Sequence, residues 1–93
     1  MNERMEALVS GRVQMVLYRD YAKKQADRIG VVGEVKNLPD RTVWVAAEGT
    51  PEKLQRFLNR LWKGPLFAKV EDIQVSWCEP RGTYEGFVIH FDE

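Results

Sequence analysis

The stretch Gly11–Asp20, GRVQMVLYRD, lies where a predicted strand ends and a predicted helix begins. Residues 5–11 alternate in hydropathy before it, and apolar residues recur at helical spacing over residues 18–29 after it. Arg19 therefore stands in the first turn of a helix, where the partly positive N-terminus disfavours a cation by roughly 0.3–1 kcal/mol. A carboxylate neighbour or a bound anion would each reverse that preference, and the residues alone leave both open.

The spacing of apolar residues predicts two helices and five strands along the chain. The first helix, Tyr18–Ile29, has Gly30 as its predicted C-cap. The second begins with Thr50 as N-cap and Pro51 as first residue, and it ends at Gly64. Alternation predicts strands at residues 5–11, 31–38, 42–48, 70–77 and 86–91.

The predicted order of elements is β-α-β-β-α-β-β. Each helix has one apolar stripe, so both need a sheet to cover that stripe. The sequence therefore predicts an α+β ferredoxin-like two-layer sandwich, with a mainly antiparallel five-stranded sheet and two helices on one face. We expect a single domain over residues 1–93.

Composition and charge exclude several classes of protein. The 93 residues carry 14 basic and 14 acidic side chains, so the chain has no overall attraction for a polyanion and we expect no nucleic-acid partner. Cys78 is the single cysteine, and one cysteine with one histidine does not make a usual zinc site. We expect no metal and no cofactor.

Long apolar segments are missing from the sequence. No run approaches the ~20 apolar residues of a membrane-spanning helix, and the first residues do not read as a secretion signal. We therefore expect no membrane partner and a cytoplasmic location. A monomer is the default expectation for a domain of this size.

The first crossover brings Arg19 and Asn37 together, although they lie far apart in sequence. About eleven helical residues run ~16 Å away from the loop, and about seven strand residues run ~23 Å back. A right-handed crossover gives the first two strands the same direction, so their carboxyl ends share one edge of the sheet. Main-chain N–H groups at the helix start would bind an anion there. The Asn37 amide would orient a water, or it would simply suit the turn before Pro39.

The loop and the segments that follow it carry a family resemblance over nearly the whole chain. The family pattern Gly-x-Val-Gln-Gly-Val-x-Phe-Arg is matched in register, and further matches follow it. The matching residues are Gly11, Val13, Gln14, Val16, Arg19, Gly30, Gly33, Val35, Asn37, Gly49, Gly64, Pro65, Ala68 and Val70. Through these matching residues, the chain resembles the acylphosphatase family.

That resemblance implies hydrolysis of an acyl phosphate, a small-molecule substrate, to a carboxylate and inorganic phosphate, without a metal or cofactor. It implies that Arg19 and the loop amides hold the phosphoryl group, and that Asn37 positions the attacking water. The implied phosphate-binding residues are Arg12, Val13, Gln14, Met15, Val16, Leu17, Tyr18 and Arg19. Inorganic phosphate is then the product and an expected inhibitor.

Three positions depart from the family pattern. Met15 replaces a glycine, Tyr18 replaces a phenylalanine, and Arg41 replaces the glycine of a common Asp-Gly turn. If position 15 needs a positive φ, Met15 introduces strain of about 1–2 kcal/mol. Tyr18 adds a hydroxyl group that needs water or a hydrogen-bond partner.

Two other functions fit parts of the sequence. Residues 84–91 are similar to the aromatic strand of RNA-binding RRM domains, but Phe87, Ile89 and Phe91 form one apolar face that suits the core. A non-catalytic relative that binds phosphate or a carbamoyl-type ligand is the more serious alternative. Hydrolysis of benzoyl phosphate would distinguish it from an enzyme.

Overall fold

The computed structural model describes residues 1–91, which form two helices and five strands. The elements are β1 (Glu3–Arg12), α1 (Tyr18–Ile29), β2 (Val32–Asn37), β3 (Val43–Gly49), α2 (Pro51–Lys63), β4 (Lys69–Cys78) and β5 (Phe87–Ile89). The predicted order of elements is therefore confirmed. The predicted domain, residues 1–93, also includes Asp92 and Glu93, which lie outside the described residues.

The strands form one sheet in the order β4-β1-β3-β2-β5. Three neighbouring pairs are antiparallel, and β2 pairs with β5 in parallel, so the sheet is mixed but mainly antiparallel. Because β1 and β2 both run antiparallel to β3, they have the same direction. Their carboxyl ends meet at one edge of the sheet, as predicted.

The hydrophobic core lies between one face of the sheet and the two helices. Cross-strand pairs such as Ala7 with Val45 and Met5 with Ala47 are fully buried beneath the helices. The helices contribute the residues that the apolar spacing selects: Tyr18, Ala22, Ala26, Ile29, Leu54, Phe57 and Leu61. Thr50 caps α2 as predicted, because its Oγ1 accepts a hydrogen bond from the Lys53 N–H at 3.3 Å. The ferredoxin-like α+β sandwich is confirmed.

The opposite face of the sheet carries a buried polar cluster. The Arg4 guanidinium donates to Glu48 at 2.9 Å and to Tyr84 at 3.1 Å, and only 1% of Arg4 is exposed. Glu48 also accepts hydrogen bonds from the main-chain N–H groups of Arg81 and Gly82. β4 and β5 are the two edge strands, on opposite sides of the sheet, so the connection between them must cross this face. Arg4 and Glu48 hold the connection there.

The end of the chain corrects one prediction. Phe87 is buried and Ile89 packs against the core, but Phe91 is 72% exposed. The prediction that Phe91 faces the core is wrong, because β5 ends at Ile89 and the chain beyond it leaves the packed face.

Neither helix of residues 1–91 is both long enough and apolar enough to span a membrane.

Candidate active site

The pairing of β1 with β4 is irregular at the point where β1 leads into the loop, with Glu71 of β4 as the extra residue of a bulge. The pairing of β1 with β4 shifts register between Ser10 and Gly11. Gly11 has φ 121°, and a Cβ atom there would collide with the carbonyl oxygen of Lys69. Only glycine fits this position, so the bulge is specified by the sequence.

The loop is fixed to the β2–β3 hairpin by Gln14. Its side-chain amide donates to the carbonyl oxygens of Leu38 at 2.9 Å and Thr42 at 2.8 Å. These bonds hold the loop beside the end of β2, where Asn37 lies. The Gln14 side-chain amide thus forms hydrogen bonds to the hairpin. This residue could bind an anion only through its main-chain N–H.

Two residues in the last part of the loop, just before α1 begins, have left-handed backbone conformations. Met15 has φ 61° and Leu17 has φ 62°, so Met15 occupies the conformation that makes a glycine preferable. Leu17 is the N-cap residue, and its side chain makes no capping hydrogen bond. The first N–H groups of a helix have no partner within the helix, so this terminus is suited to an anion.

Arg19 lies against the chain that follows β5. Its Nη1 donates to the carbonyl oxygen of His90 at 2.6 Å, and its Cζ lies 5.5 Å from the centroid of the Phe91 ring. The His90 N–H in turn donates to the Val35 carbonyl oxygen at 2.9 Å. The guanidinium is therefore held by the main chain at the same sheet edge where β2 ends.

Arg19 and Asn37 line one pocket of about 290 Å³. The other lining residues are Val13, Met15, Leu17, Tyr18, Asp20 and Phe91. The predicted juxtaposition of Arg19 with Asn37 is present in the structure, and most of the loop residues proposed for phosphate binding surround the pair.

Three of the predicted site residues do not line this pocket. Arg12 pairs with Lys69 across the sheet and lines a separate pocket of about 670 Å³, together with Gln14. Val16 is partly buried and packs against the core. For Gln14 and Val16, a role in phosphate binding would have to come from the main chain.

Phe91 and the carbonyl group of His90 also contact Arg19, and neither contact was predicted from the sequence. Val35 pairs with Ile89 in parallel, and two residues further along the two chains Asn37 and Phe91 line the same pocket. Strand order would have revealed both contacts, but parallel strands far apart in sequence leave no local pattern.

Tyr18 anchors the first turn of α1 in the core. Its hydroxyl donates to the Leu61 carbonyl oxygen at 2.7 Å, and burial raises the pKa of this phenol far above its ordinary value. The predicted need of this hydroxyl for a partner is thus met at the end of α2. The side chain positions the helix that carries Arg19.

The β2–β3 turn adapts to Arg41, which has φ 74°. The Thr42 N–H and Oγ1–H both donate to the Asp40 carboxylate, at 3.1 and 2.6 Å. The Arg41 N–H donates to the Leu38 carbonyl oxygen at 3.1 Å. These bonds shape the turn whose carbonyl groups receive Gln14.

The fold and the site together define a class of protein: a small α+β sandwich in which a helix N-terminus, an arginine and an asparagine surround one pocket. Such a site can hold a tetrahedral oxyanion by charge and orient a water by an amide. Among residues 1–91, no group of three or more histidine, cysteine, aspartate or glutamate side chains could hold a metal ion.

Known proteins place the chain within one family. A family model described as Acylphosphatase matches residues 5–89. An acylphosphatase of Thermus thermophilus is 47% identical over 87 residues, covering 94% of this chain and 98% of the relative. An acylphosphatase of Dehalococcoides mccartyi is 41% identical over 88 residues, covering 94% and 97%. The crystal structure of an acylphosphatase from Bacillus subtilis has a TM-score of 0.92 at 34% identity, covering 98% of this chain and 100% of that chain.

The chain therefore belongs to the acylphosphatase family, and its activity is that of an acylphosphatase. The resemblance carried by the loop motif is confirmed. The roles of individual side chains in that activity remain predictions.

Proposed function

We propose that this chain hydrolyses acyl phosphates in the pocket shared by Arg19 and Asn37. The observation that carries this proposal is the convergence of a guanidinium, a helix N-terminus and a neutral amide at one sheet edge. Each of these groups has a distinct part in the reaction.

Arg19 and the loop bind the phosphoryl group. The planar guanidinium donates charge-assisted hydrogen bonds to phosphoryl oxygens, and main-chain N–H groups between Arg12 and Arg19 supply further donors. Phosphoryl transfer passes through a loose transition state with charge on the equatorial oxygens, so catalysis depends on positioning and electrostatic stabilisation. A rigid set of donors meets that requirement without a metal ion.

Asn37 orients the attacking water. Its side-chain amide forms a hydrogen bond with the water, which aligns the water oxygen with the phosphorus atom. As the new P–O bond forms, the bond to the bridging oxygen breaks, and its electron pair leaves with the carboxylate. A dianionic acyl phosphate and water thus yield a carboxylate anion and H₂PO₄⁻, with both water hydrogens on the phosphate.

The leaving group explains why no acid catalyst is needed. A carboxylic acid has a pKa of about 4, so its conjugate base departs unprotonated near neutral pH. The proposed site accordingly uses no histidine and no pair of carboxylates.

The test compares Arg19→Ala and Asn37→Ala in benzoyl phosphate hydrolysis and in phosphate titration followed by amide NMR shifts. We expect Arg19→Ala to lower kcat by about 10²–10³-fold or more and to abolish the phosphate-induced shifts. Asn37→Ala should lower kcat while phosphate affinity changes less, because its partner is water.

Matched controls for this test lie on exposed helix surfaces. Arg28→Ala is in the last turn of α1 and Asn59→Ala is on α2, both away from the pocket. Both should retain wild-type kinetics. Equal activity in wild type, Arg19→Ala and Asn37→Ala would refute the assignment of roles. Amide shifts without turnover would favour the alternative, a phosphate-binding module.

We further infer a monomer, a cytoplasmic location and competitive inhibition by inorganic phosphate. An exposed free thiol at Cys78 is compatible with a reducing compartment. Phosphate should compete because it occupies the same donors as the substrate. Size-exclusion chromatography with light scattering tests the monomer, and fractionation of the producing cells tests the location.

A further inference from the structure

Three exposed apolar side chains meet at the phosphoryl pocket. Met15 is 100% exposed, and Leu17 and Phe91 are each 72% exposed, yet all three line the pocket with Arg19 and Asn37. We refer to Met15, Leu17 and Phe91 as the apolar rim.

Packing within residues 1–91 does not account for Met15 and Leu17 in this rim. Met15 and Leu17 both adopt left-handed backbone conformations, which a Cβ atom makes unfavourable and which glycine or asparagine would adopt more easily. Their side chains are exposed, so little burial within the described chain offsets this strain. A contact outside the chain would offset it.

The pocket has the size and chemistry of a small-molecule site. Its volume of about 290 Å³ is near the lower end of the roughly 300–1,000 Å³ typical of such sites. Arg19 and Asn37 supply the polar groups, and the rim supplies apolar surface. An acyl phosphate also has a charged part and a less polar part. Its dianionic phosphoryl group is joined through one oxygen to an acyl group.

We propose that the apolar rim contacts the acyl group and makes the enzyme select acyl phosphates with aromatic or bulky aliphatic acyl groups. With the phosphoryl group held at Arg19, the acyl carbon is only two bonds from phosphorus, so its substituent must lie near the rim. Contact with a non-reacting part of the substrate raises kcat/KM. This inference rests on the proposed function of the same pocket.

The test measures kcat/KM for benzoyl phosphate and for acetyl phosphate in wild type, Met15→Asn and Leu17→Asn. Asparagine tolerates a left-handed backbone and removes the apolar side chain, so the loop conformation is retained. We expect the ratio of benzoyl to acetyl kcat/KM to fall about fivefold in each variant, less than in a closed hydrophobic pocket. Any change common to both substrates cancels in this ratio.

Leu66→Ala is the matched control, because Leu66 is 87% exposed and does not line this pocket. It should leave the ratio at the wild-type value. Met15→Gly, which removes the side chain and relieves the positive φ, should reproduce Met15→Asn and serves as the second variant if Met15→Asn folds poorly.

An unchanged ratio in Met15→Asn, Met15→Gly and Leu17→Asn would overturn the inference, even with full turnover. Failure of the proposed function has a different signature: Arg19→Ala would then hydrolyse both substrates as fast as wild type. The two hypotheses can therefore fail separately.

Discussion

Nη1 of Arg19 lies 2.6 Å from the carbonyl oxygen of His90, although 71 residues separate the two in sequence. The contact connects the first helix to the chain that follows β5. Because a main-chain carbonyl holds it, the guanidinium keeps its place whatever side chain stands at position 90. The ring of Phe91 lies over the same guanidinium.

Replacing Phe91 by alanine should weaken catalysis through Arg19. An exposed cation–π contact contributes about 0.5–1 kcal/mol, so kcat/KM for acetyl phosphate should fall about two- to fivefold. Steady-state kinetics measure the effect. Phe67→Ala is the control, since Phe67 is 73% exposed and lies outside the pocket. An equal loss in both variants would contradict a specific role for Phe91.

Replacing Gln14 by methionine should loosen the phosphate-binding loop. The substitution keeps the shape of the side chain but removes the donors to the Leu38 and Thr42 carbonyl oxygens. Each carbonyl oxygen keeps one main-chain donor, so the cost is that of two lost hydrogen bonds, about 1–2 kcal/mol of unfolding free energy, measured by urea denaturation. Phosphate affinity should fall as well. Gln55→Met on the exposed face of α2 should change neither quantity. Wild-type stability in Gln14→Met would argue against a stabilising role of the two Gln14 hydrogen bonds.

Replacing Tyr18 by phenylalanine should lower stability by about 1 kcal/mol, because the buried Leu61 carbonyl oxygen loses its donor. Thermal and urea unfolding measure this loss. Tyr21→Phe removes a bond to the Arg60 carbonyl oxygen at 2.9 Å, which lies in a more exposed position and keeps the Gly64 N–H as a donor. Its effect should be smaller, and the reverse order would contradict the importance of burial.

The Glu48 carboxylate should make stability depend on pH. Burial alone would raise its pKa, but hydrogen bonds from Arg81, Gly82 and Arg4 outweigh burial and lower it. A carboxyl group with a lowered pKa stabilises the fold above its unfolded pKa of about 4.3 and loses that contribution as the pH falls through its folded value.

Glu48→Gln should therefore be less stable than wild type by about 1.5–3 kcal/mol at pH 7, and the difference should shrink below about pH 4. Urea unfolding at several pH values measures it. Glu34, whose pKa is also lowered, is present in both proteins, so its own titration affects both measurements. Glu85→Gln, at an exposed position, should show no such trend. A gap between wild type and Glu48→Gln that stays constant with pH would refute the role of the charge.

The sequence by itself determined the elements and the first crossover. Local patterns predict these elements: the alternating hydropathy of β1, the apolar stripe of α2 and the N-cap residue Thr50. Each depends only on interactions between residues close in sequence. The meeting of Arg19 with Asn37 follows as well, because helix rise, strand rise and crossover handedness fix where the chain returns.

Only the tertiary structure decided what surrounds Arg19. β5 pairs with β2 in parallel, which brings the His90 carbonyl and Phe91 to the site and leaves Phe91 exposed. It also decided the burial of Arg4 with Glu48, two charged residues that hydropathy alone would place at the surface. These features depend on strand order and long-range pairing, which no local periodicity encodes.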